Sequence, residues 1–560
     1  MERFFDAHLH PTLKNHFSDP SIPTSPWESI LYRDLTSGFR ALSLIKCLIR
    51  PFLENTIVSQ SSLEQLVKGN YRLAMAALFF PDRDLMKAIT SNAAFMDIIE
   101  KGKFGKYLNK ERFEYLKDAF NGYSLILEDL TLLKSAANGK GEVIFLQKGA
   151  EFSEDKNKTL SLIFTIEGLH CLRSNLNEID QEIIFQDIKR NLISLQREVF
   201  ISSINLTHID NSNGIFSNQA YAMDGLRNSG MDDIPLRPVG NGLTELGKRM
   251  VDLLEEREVL TDIKHMSWPA RKELYSYRKR KAIQSPLVCT HAGLTGIWFQ
   301  HSTEKFTDYI LGTVKIGLQY ELKIGKPVFS DAHRIFDQVC FNASTINLFN
   351  EDLIEIYNSD GLIGISLDKR ILGYTEVDWK GGFYTNTSES VLYFNEGTEK
   401  VPRIIDTDFI SEEEFNSGGF NAGSQNGKNQ TKTVRADLFH DRIKDGLAQE
   451  YDMQYLHFVA NILHAVKMGG LLEGEKGMEK MLTRVLCIGS DFDGLIDSIG
   501  IASKATKVIN LKKQFQREFR RLARKAGLDL PAHLTGPYVA NRIFYENGRD
   551  FVSKRLSSWG

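Results

Sequence analysis

The chain has 560 residues, of which 42% are hydrophobic and 25% charged, and its formal net charge is −3. That balance suits a soluble globular fold and offers no excess of positive charge to draw in nucleic acid or an anionic membrane surface. Five scattered cysteines (Cys47, Cys171, Cys289, Cys340, Cys487), none in a CxxC pair, argue against both a disulfide framework and a thiolate metal site.

The first residues carry no basic segment, apolar stretch or cleavage site, and no apolar run approaches the ~18 residues of a membrane span. A cytoplasmic protein with no membrane or nucleic-acid partner is therefore expected. Eight short apolar runs read as strands, at 3–7, 73–81, 161–167, 199–207, 259–264, 286–290, 361–367 and 484–490. Helix-like stretches separate most of them. This alternation predicts a parallel sheet with crossover helices, and eight such strands close a barrel. The expected fold class is α/β, a (β/α)8 TIM-type barrel in one domain over 1–560 with large helical and loop insertions.

The insertions are expected at four places. Residues 11–70 and 84–140 are charged and helix-like. Residues 296–358 follow the sixth strand and contain a helical pattern from Tyr309 to Leu322. Residues 374–440 form a long insertion whose centre, Ser417 to Gln430, is rich in Gly, Asn, Ser and Gln. That composition buries too little apolar surface to order itself, so a mobile loop is expected there. Val143 to Leu146 reads as a small extra strand. Met453 to Met468 reads as a helix, and Arg517 to Arg524 as an amphipathic helix outside the barrel. The runs Arg278 to Lys281 and Glu412 to Glu414 read as solvated charge.

Residue types that bind metal end several of the strand candidates. His8-Leu9-His10 closes the first, and alternation sends both imidazoles to one face, where they can grip one cation. Glu167 follows five apolar residues, a poor place for a carboxylate unless a cation meets it. His265, His291 and Asp491 end three further runs. Catalytic groups of a parallel barrel collect at the C-terminal strand ends, so the pattern predicts a metal-dependent hydrolase.

The words Ile166-Glu167-Gly168-Leu169-His170, Asn205-Leu206-Thr207-His208, Gly242-Leu243-Thr244-Glu245, Thr261-Asp262-Ile263-Lys264-His265-Met266-Ser267 and Gly489-Ser490-Asp491-Phe492-Asp493-Gly494 occur in this order. They resemble successive motifs of the membrane dipeptidase (renal dipeptidase) family of amidohydrolase-like metal-dependent hydrolases. The resemblance is strongest over 160–295 and 455–500. It implies two Zn2+ ions, the first held by His8, His10 and Glu167, the second by Glu167, His265 and His291, with Glu167 bridging. A hydroxide bridging the ions would attack a peptide bond. Asp491 would act as general base and then general acid, and His208 would bind the substrate carbonyl and its oxyanion. His170 would support Glu167 from behind.

Two departures stand out. His10 occupies a position where that family usually has aspartate, which makes the site one unit more positive. The family's substrate-binding arginine has no counterpart at the corresponding place, where His301-Ser302-Thr303 or Thr345-Ile346 falls; Arg334, His301 or Lys305 is the candidate substitute. The expected substrate is a dipeptide. The alternatives are another small amide, an N-acyl amino acid or a lactone, and a non-catalytic barrel scaffold. A homodimer is compatible with the sequence.

Overall fold

The computed structural model describes residues 2–32, 57–101, 106–137, 142–147, 149, 152, 159–209, 214–223, 231–301, 305–327, 329, 339–374, 379–380, 383–384, 391–396, 399–418, 420 and 453–557. All eight predicted barrel strands form. They are β1 (Phe4–Leu9), β2 (Tyr71–Leu78), β4 (Leu160–Ile166), β5 (Ile201–Asn205), β6 (Leu260–Asp262), β7 (Val288–Ala292), β10 (Leu362–Ile365) and β15 (Leu486–Ile488). Each pairs in parallel with the next, in the order β1-β2-β4-β5-β6-β7-β10-β15. The ring is drawn together where the chain beyond β15 meets β1. There Asp491 N donates to His8 O and His10 N donates to Phe492 O, both at 2.9 Å. The sheet is a nearly closed (β/α)8 barrel.

These strands are buried along their whole length, as a sheet covered on both faces requires. Inside the ring, Phe5, Ala7, Leu73, Met75, Ile163, Leu260, Val288, Leu362 and Cys487 form one apolar cluster. Outside, helices such as Met453–Glu473 and Val508–Lys525 cover the barrel. Val508–Lys525 does so through Phe515, Phe519 and Leu522, the apolar face read from the sequence.

A short strand, β3 (Val143–Phe145), extends the sheet by pairing in parallel with β4. Four helices, Arg83–Thr90, Ala93–Lys101, Lys110–Lys117 and Gly122–Ala137, fill most of 84–140. Of 11–70, residues 33–56 lie outside the described residues, and the remainder includes the helix Leu63–Lys68.

The Tyr309–Leu322 helix is corrected. These residues form an antiparallel hairpin of β8 (Ile310–Ile316) and β9 (Gln319–Gly325). Gly317 turns it at φ 62°, and the alternating Thr313-Val314-Lys315-Ile316 suits a half-exposed strand better than a helix. The described part of the 374–440 insertion, outside its Gly/Asn-rich centre, contains strands. The strand pieces β11 (Trp379–Lys380) and β12 (Phe383–Tyr384) pair with each other. β13 (Val391–Glu396) and β14 (Glu399–Ser411) join the hairpin in a four-stranded sheet ordered β13-β14-β9-β8. A short helix, Glu412–Ser417, follows. The Gly/Asn-rich stretch after Phe420 lies outside the described residues.

Two glycines set how closely β7, β10 and β15 approach. A Cβ on Gly364 or on Gly489 would stand 1.9 Å from Thr290 O. We therefore expect Gly364→Ala to destabilise the fold by about 1–3 kcal/mol, since only a backbone shift can relieve the clash. Denaturant unfolding would show this as a lower midpoint with an unchanged slope.

Candidate metal centre

The C-terminal ends of β1, β4, β6, β7 and β15 deliver five predicted groups and Asp491 to one place. His8 and His10 Nε2 lie 3.0 Å apart. Glu167 Oε1 is 3.5 Å from His8 Nε2, and Oε2 is 3.3 Å from His10 Nε2. Oε1 also lies 2.9 Å from His265 Nε2 and 3.6 Å from His291 Nε2. Asp491 Oδ1 stands 3.3 Å from His10 Nε2, and Oδ2 stands 4.0 Å from His291 Nε2.

These spacings fit a metal. Two donors about 2.0–2.1 Å from one tetrahedral zinc stand about 3.3–3.4 Å from each other. Three sets of donor atoms each fall within 4.8 Å of one another: His8, Glu167 and His291; His8, His10 and Asp491; Glu167, His208 and His265. Glu167 takes part in two of them. This grouping places His291 with His8 and His265 with His208, so it differs from the implied ligand sets, although one oxygen of Glu167 still faces both His265 and His291.

Hydrogen bonds beneath the cluster set the tautomers of two of the imidazoles, His8 and His291. Thr290 Oγ1 lies 2.5 Å from Asp262 Oδ2 and donates to it. It can then only accept from His8 Nδ1 at 3.2 Å and His291 Nδ1 at 3.4 Å. Protons on both Nδ1 atoms leave both Nε2 lone pairs for a cation, the role a carboxylate or hydroxyl behind a ligating histidine usually plays. Asp6 is equally buried and accepts from Ser490 N at 2.8 Å and His8 N at 3.2 Å, which fixes β1 against the Asp491 loop.

The electrostatics are those of a carboxylate held among imidazoles. Burial pushes Glu167 up, but His208, His8 and His10 and the hydrogen bond from His265 outweigh it and hold the carboxyl well below its ordinary range. Burial holds His265 and His291 well below theirs, assisted by the charge of neighbouring His208 and His8 respectively. Both are thus neutral donors near pH 7, the form that binds metal. His265 and Asp491 adopt left-handed backbone, with φ 69° and 62°. That region is uncommon outside glycine, although His and Asp enter it more readily than most residues.

His208 lies beside the cluster, its Nε2 3.7 Å from Glu167 Oε1. Its Nδ1 donates to Asp82 Oδ2 at 2.5 Å. Burial opposes charge on this ring, but Asp82 and Glu167 outweigh it and raise the pKa to about 9, so Nε2 carries a proton as well. His170 is buried against Phe79 and Phe80. Its Nε2 faces Phe80 O at 3.5 Å and Asp82 Oδ1 at 3.7 Å, so its polar neighbours are the Asp82 loop rather than Glu167. Gly168, at φ 94°, lets this turn close, since a Cβ there would meet His170 Nδ1 at 2.4 Å.

Asp82, Thr290, Asp6 and Asp262 were assigned no role from sequence. Asp82 follows the second predicted strand by one residue, so the strand-end rule that found the other groups applies to it too. Arg334 lies outside the described residues. His301 stacks on Trp298 at 5.0 Å, and Lys305 is exposed.

Two charged runs read as solvated are corrected. Arg278 is buried and donates to Ser285 O and to Glu255. Glu414 is fully buried, and its Oε1 accepts from Ser267 Oγ at 2.6 Å and Gly242 N at 3.0 Å. A run of charges does not reveal which member turns inward.

No family model and no curated protein matches the chain. Solved structures do. One is a metallopeptidase from Rhodobacter sphaeroides liganded with a phosphinate mimic of the dipeptide L-Ala-D-Ala (14% identity, TM-score 0.42, covering 100% of this chain and 99% of that one). Dipeptidase AC, a metallopeptidase of family M19, matches at 14% identity and TM-score 0.42, over 92% of this chain and 96% of its own. The probable dipeptidase PvdM from Pseudomonas aeruginosa matches at 12% identity and TM-score 0.41, over 90% of each chain. Among the described residues no helix is long and apolar enough to cross a membrane.

Two outcomes follow from these contacts. In metal-free protein, Asp82→Asn should lower the pKa of His208, read from its ring resonances by NMR; an unmoved titration would separate the two groups. Burial lifts Glu414 to about 7 against the hydrogen bonds from Ser267 and Gly242. A carboxyl with a raised folded pKa contributes stability that is full below its unfolded value and fades as pH rises through the folded one. Stability should therefore fall between about pH 4.5 and 7 more steeply in the parent protein than in Glu414→Gln, compared by denaturant titration across that window.

Proposed function

We propose that the protein is a zinc-dependent hydrolase that cleaves the amide bond of a dipeptide or a related small substrate. The observation that carries this reading is the meeting of four imidazoles around the two oxygens of Glu167, with Asp491 alongside. His8, His10, Glu167, His265 and His291 would hold a pair of zinc ions bridged by Glu167. Bound zinc supplies Lewis acidity, which polarises a carbonyl and lowers the pKa of water toward neutrality.

The chain's own groups divide the remaining work. The side chain of Asp491 is 14% exposed, against 3% or less for His8, His10, Glu167 and His291, so it is the member of the group best placed to meet substrate. It takes a proton from the attacking water and returns it to the leaving amine, a transfer worth about 10²–10⁴ in rate. His208, whose charged form the paired Asp82 favours, donates from Nε2 to the substrate oxygen as negative charge grows there. Burial of the cluster strengthens each of these interactions by keeping water out.

One observation favours the second reading, an amidohydrolase acting on a substrate without a free carboxylate. Among the described residues, three arginines of the surrounding loops are engaged by protein groups. Arg237 pairs with Asp233, Arg370 pairs with Asp368, and Arg271 donates to Met266 O, Thr345 O and Asn347 O.

Free dipeptides assayed against their C-terminally amidated forms separate the two. A preference of about tenfold or more for the free acid supports a dipeptidase, since a charged hydrogen bond contributes about 1.5–3 kcal/mol; equal rates support the alternative. Asp491→Asn should retain zinc, measured by metal analysis, while losing about 10²–10⁴ in turnover. Undiminished turnover would remove Asp491 from the reaction.

A further inference from the structure

We infer that Glu414, carried by the insertion and not by the barrel, is a positioning residue for the His265 turn; this rests on the reading of the site as a zinc centre. The turn needs support, because His265 sits at φ 69°, a left-handed conformation that neighbouring contacts hold in place. Barrel groups provide part of that support. Ala220 N donates to His265 O at 2.8 Å, Asn205 Nδ2 to Lys264 O at 3.1 Å, and Arg271 Nη1 to Met266 O at 3.1 Å.

The next residue, Ser267, caps the helix Trp268–Arg280, and its own N–H donates to Asn218 O at 2.9 Å. Its hydroxyl hydrogen goes to Glu414 Oε1 at 2.6 Å. The same oxygen accepts from Gly242 N at 3.0 Å, and Gly242 O in turn accepts from Asn218 N at 2.9 Å. One carboxylate oxygen thus closes a ring joining segments near 218, 242 and 267, two residues from the imidazole whose Nε2 lies 2.9 Å from Glu167.

Glu414 does not act alone on this side. From β14, Asp408 Oδ2 accepts from Thr345 N at 2.8 Å and Asp406 Oδ2 from Ala343 N at 3.3 Å. The loop they hold supplies Thr345 O and Asn347 O to Arg271, the residue that also grips Met266 O. Phe409 lies edge-to-face with Tyr221 at 4.9 Å and under the Arg237 guanidinium at 4.1 Å. Carboxylates of the insertion thus hold backbone N–H groups or a hydroxyl of loops that follow β5, β6 and β7. Glu414 is the one that bonds directly to the residue capping the helix after the His265 turn.

Removing it leaves the Ser267 hydroxyl and Gly242 N–H buried without an acceptor. Glutamine in its place still offers a carbonyl oxygen to both donors. The test measures zinc affinity by chelator competition, with zinc alone as the probe, beside kcat and KM on the best substrate. Glu414→Ala should weaken one of the two zinc ions, the one His265 would hold, by about 10–100-fold, as loss of a group behind a ligand does, with the other little changed. It should lower kcat far more than it changes KM. Glu414→Gln should recover most of both.

Ser267→Ala cuts the same link, together with the cap bond to Ala270 N, without emptying space and should reproduce the selective loss, which covers the case in which Glu414→Ala does not fold. Unchanged zinc affinity in Ser267→Ala, equal weakening of both ions, or no recovery with glutamine would overturn the inference. A parent protein that takes up no zinc would overturn the inference and the zinc-centre reading together. One that binds zinc but hydrolyses nothing would overturn only the hydrolase reading and leave the affinity test in force.

Discussion

A carboxylate enclosed at the mouth of a barrel must be met by positive charge or by donors, and Glu167 is where this molecule meets that demand. Both its oxygens lie within 3.6 Å of imidazole nitrogens from three other strand ends. An isolated ionised carboxyl in such a place would be strongly disfavoured. The imidazoles reverse that balance and keep Glu167 ionised. The placement of the imidazoles is tied to this pairing, because they share the compensation of one carboxylate.

Support for the cluster comes from two layers of different origin. Below it, the barrel supplies Thr290, Asp262 and Asp6, which fix tautomers and tie β1 to the chain after β15. To one side, the insertion supplies Asp406, Asp408 and Glu414, which hold loops rather than strands. Strand hydrogen bonds fix where a strand ends but leave the following turn free. Turns in unusual backbone conformations, such as that at His265, need contacts from elsewhere.

Much of this was legible in the sequence. A buried parallel strand is a short apolar run, and a polar residue closing such a run is conspicuous, which made His8, His10, Glu167, His265, His291 and Asp491 readable one by one. The hairpin at 310–325 misled because short segments with scattered apolar residues satisfy either period, and the turn at Gly317 was the stronger signal. Asp82 went unread although it obeys the same strand-end rule. Glu414 could not be read, since three adjacent glutamates look alike until one is seen to turn inward.

By itself the sequence determined the barrel, because hydrophobic periodicity and the order of strands and helices depend on local chemistry. It also determined which side chains stand at the strand ends. Only the tertiary structure decided which of those ends face one another, which oxygen of Glu167 meets which imidazole, and that a carboxylate from residue 414 closes the turn after His265. These are contacts between residues about 100 or more positions apart, set by closure of the ring and docking of the insertion, and no local pattern in the chain encodes them.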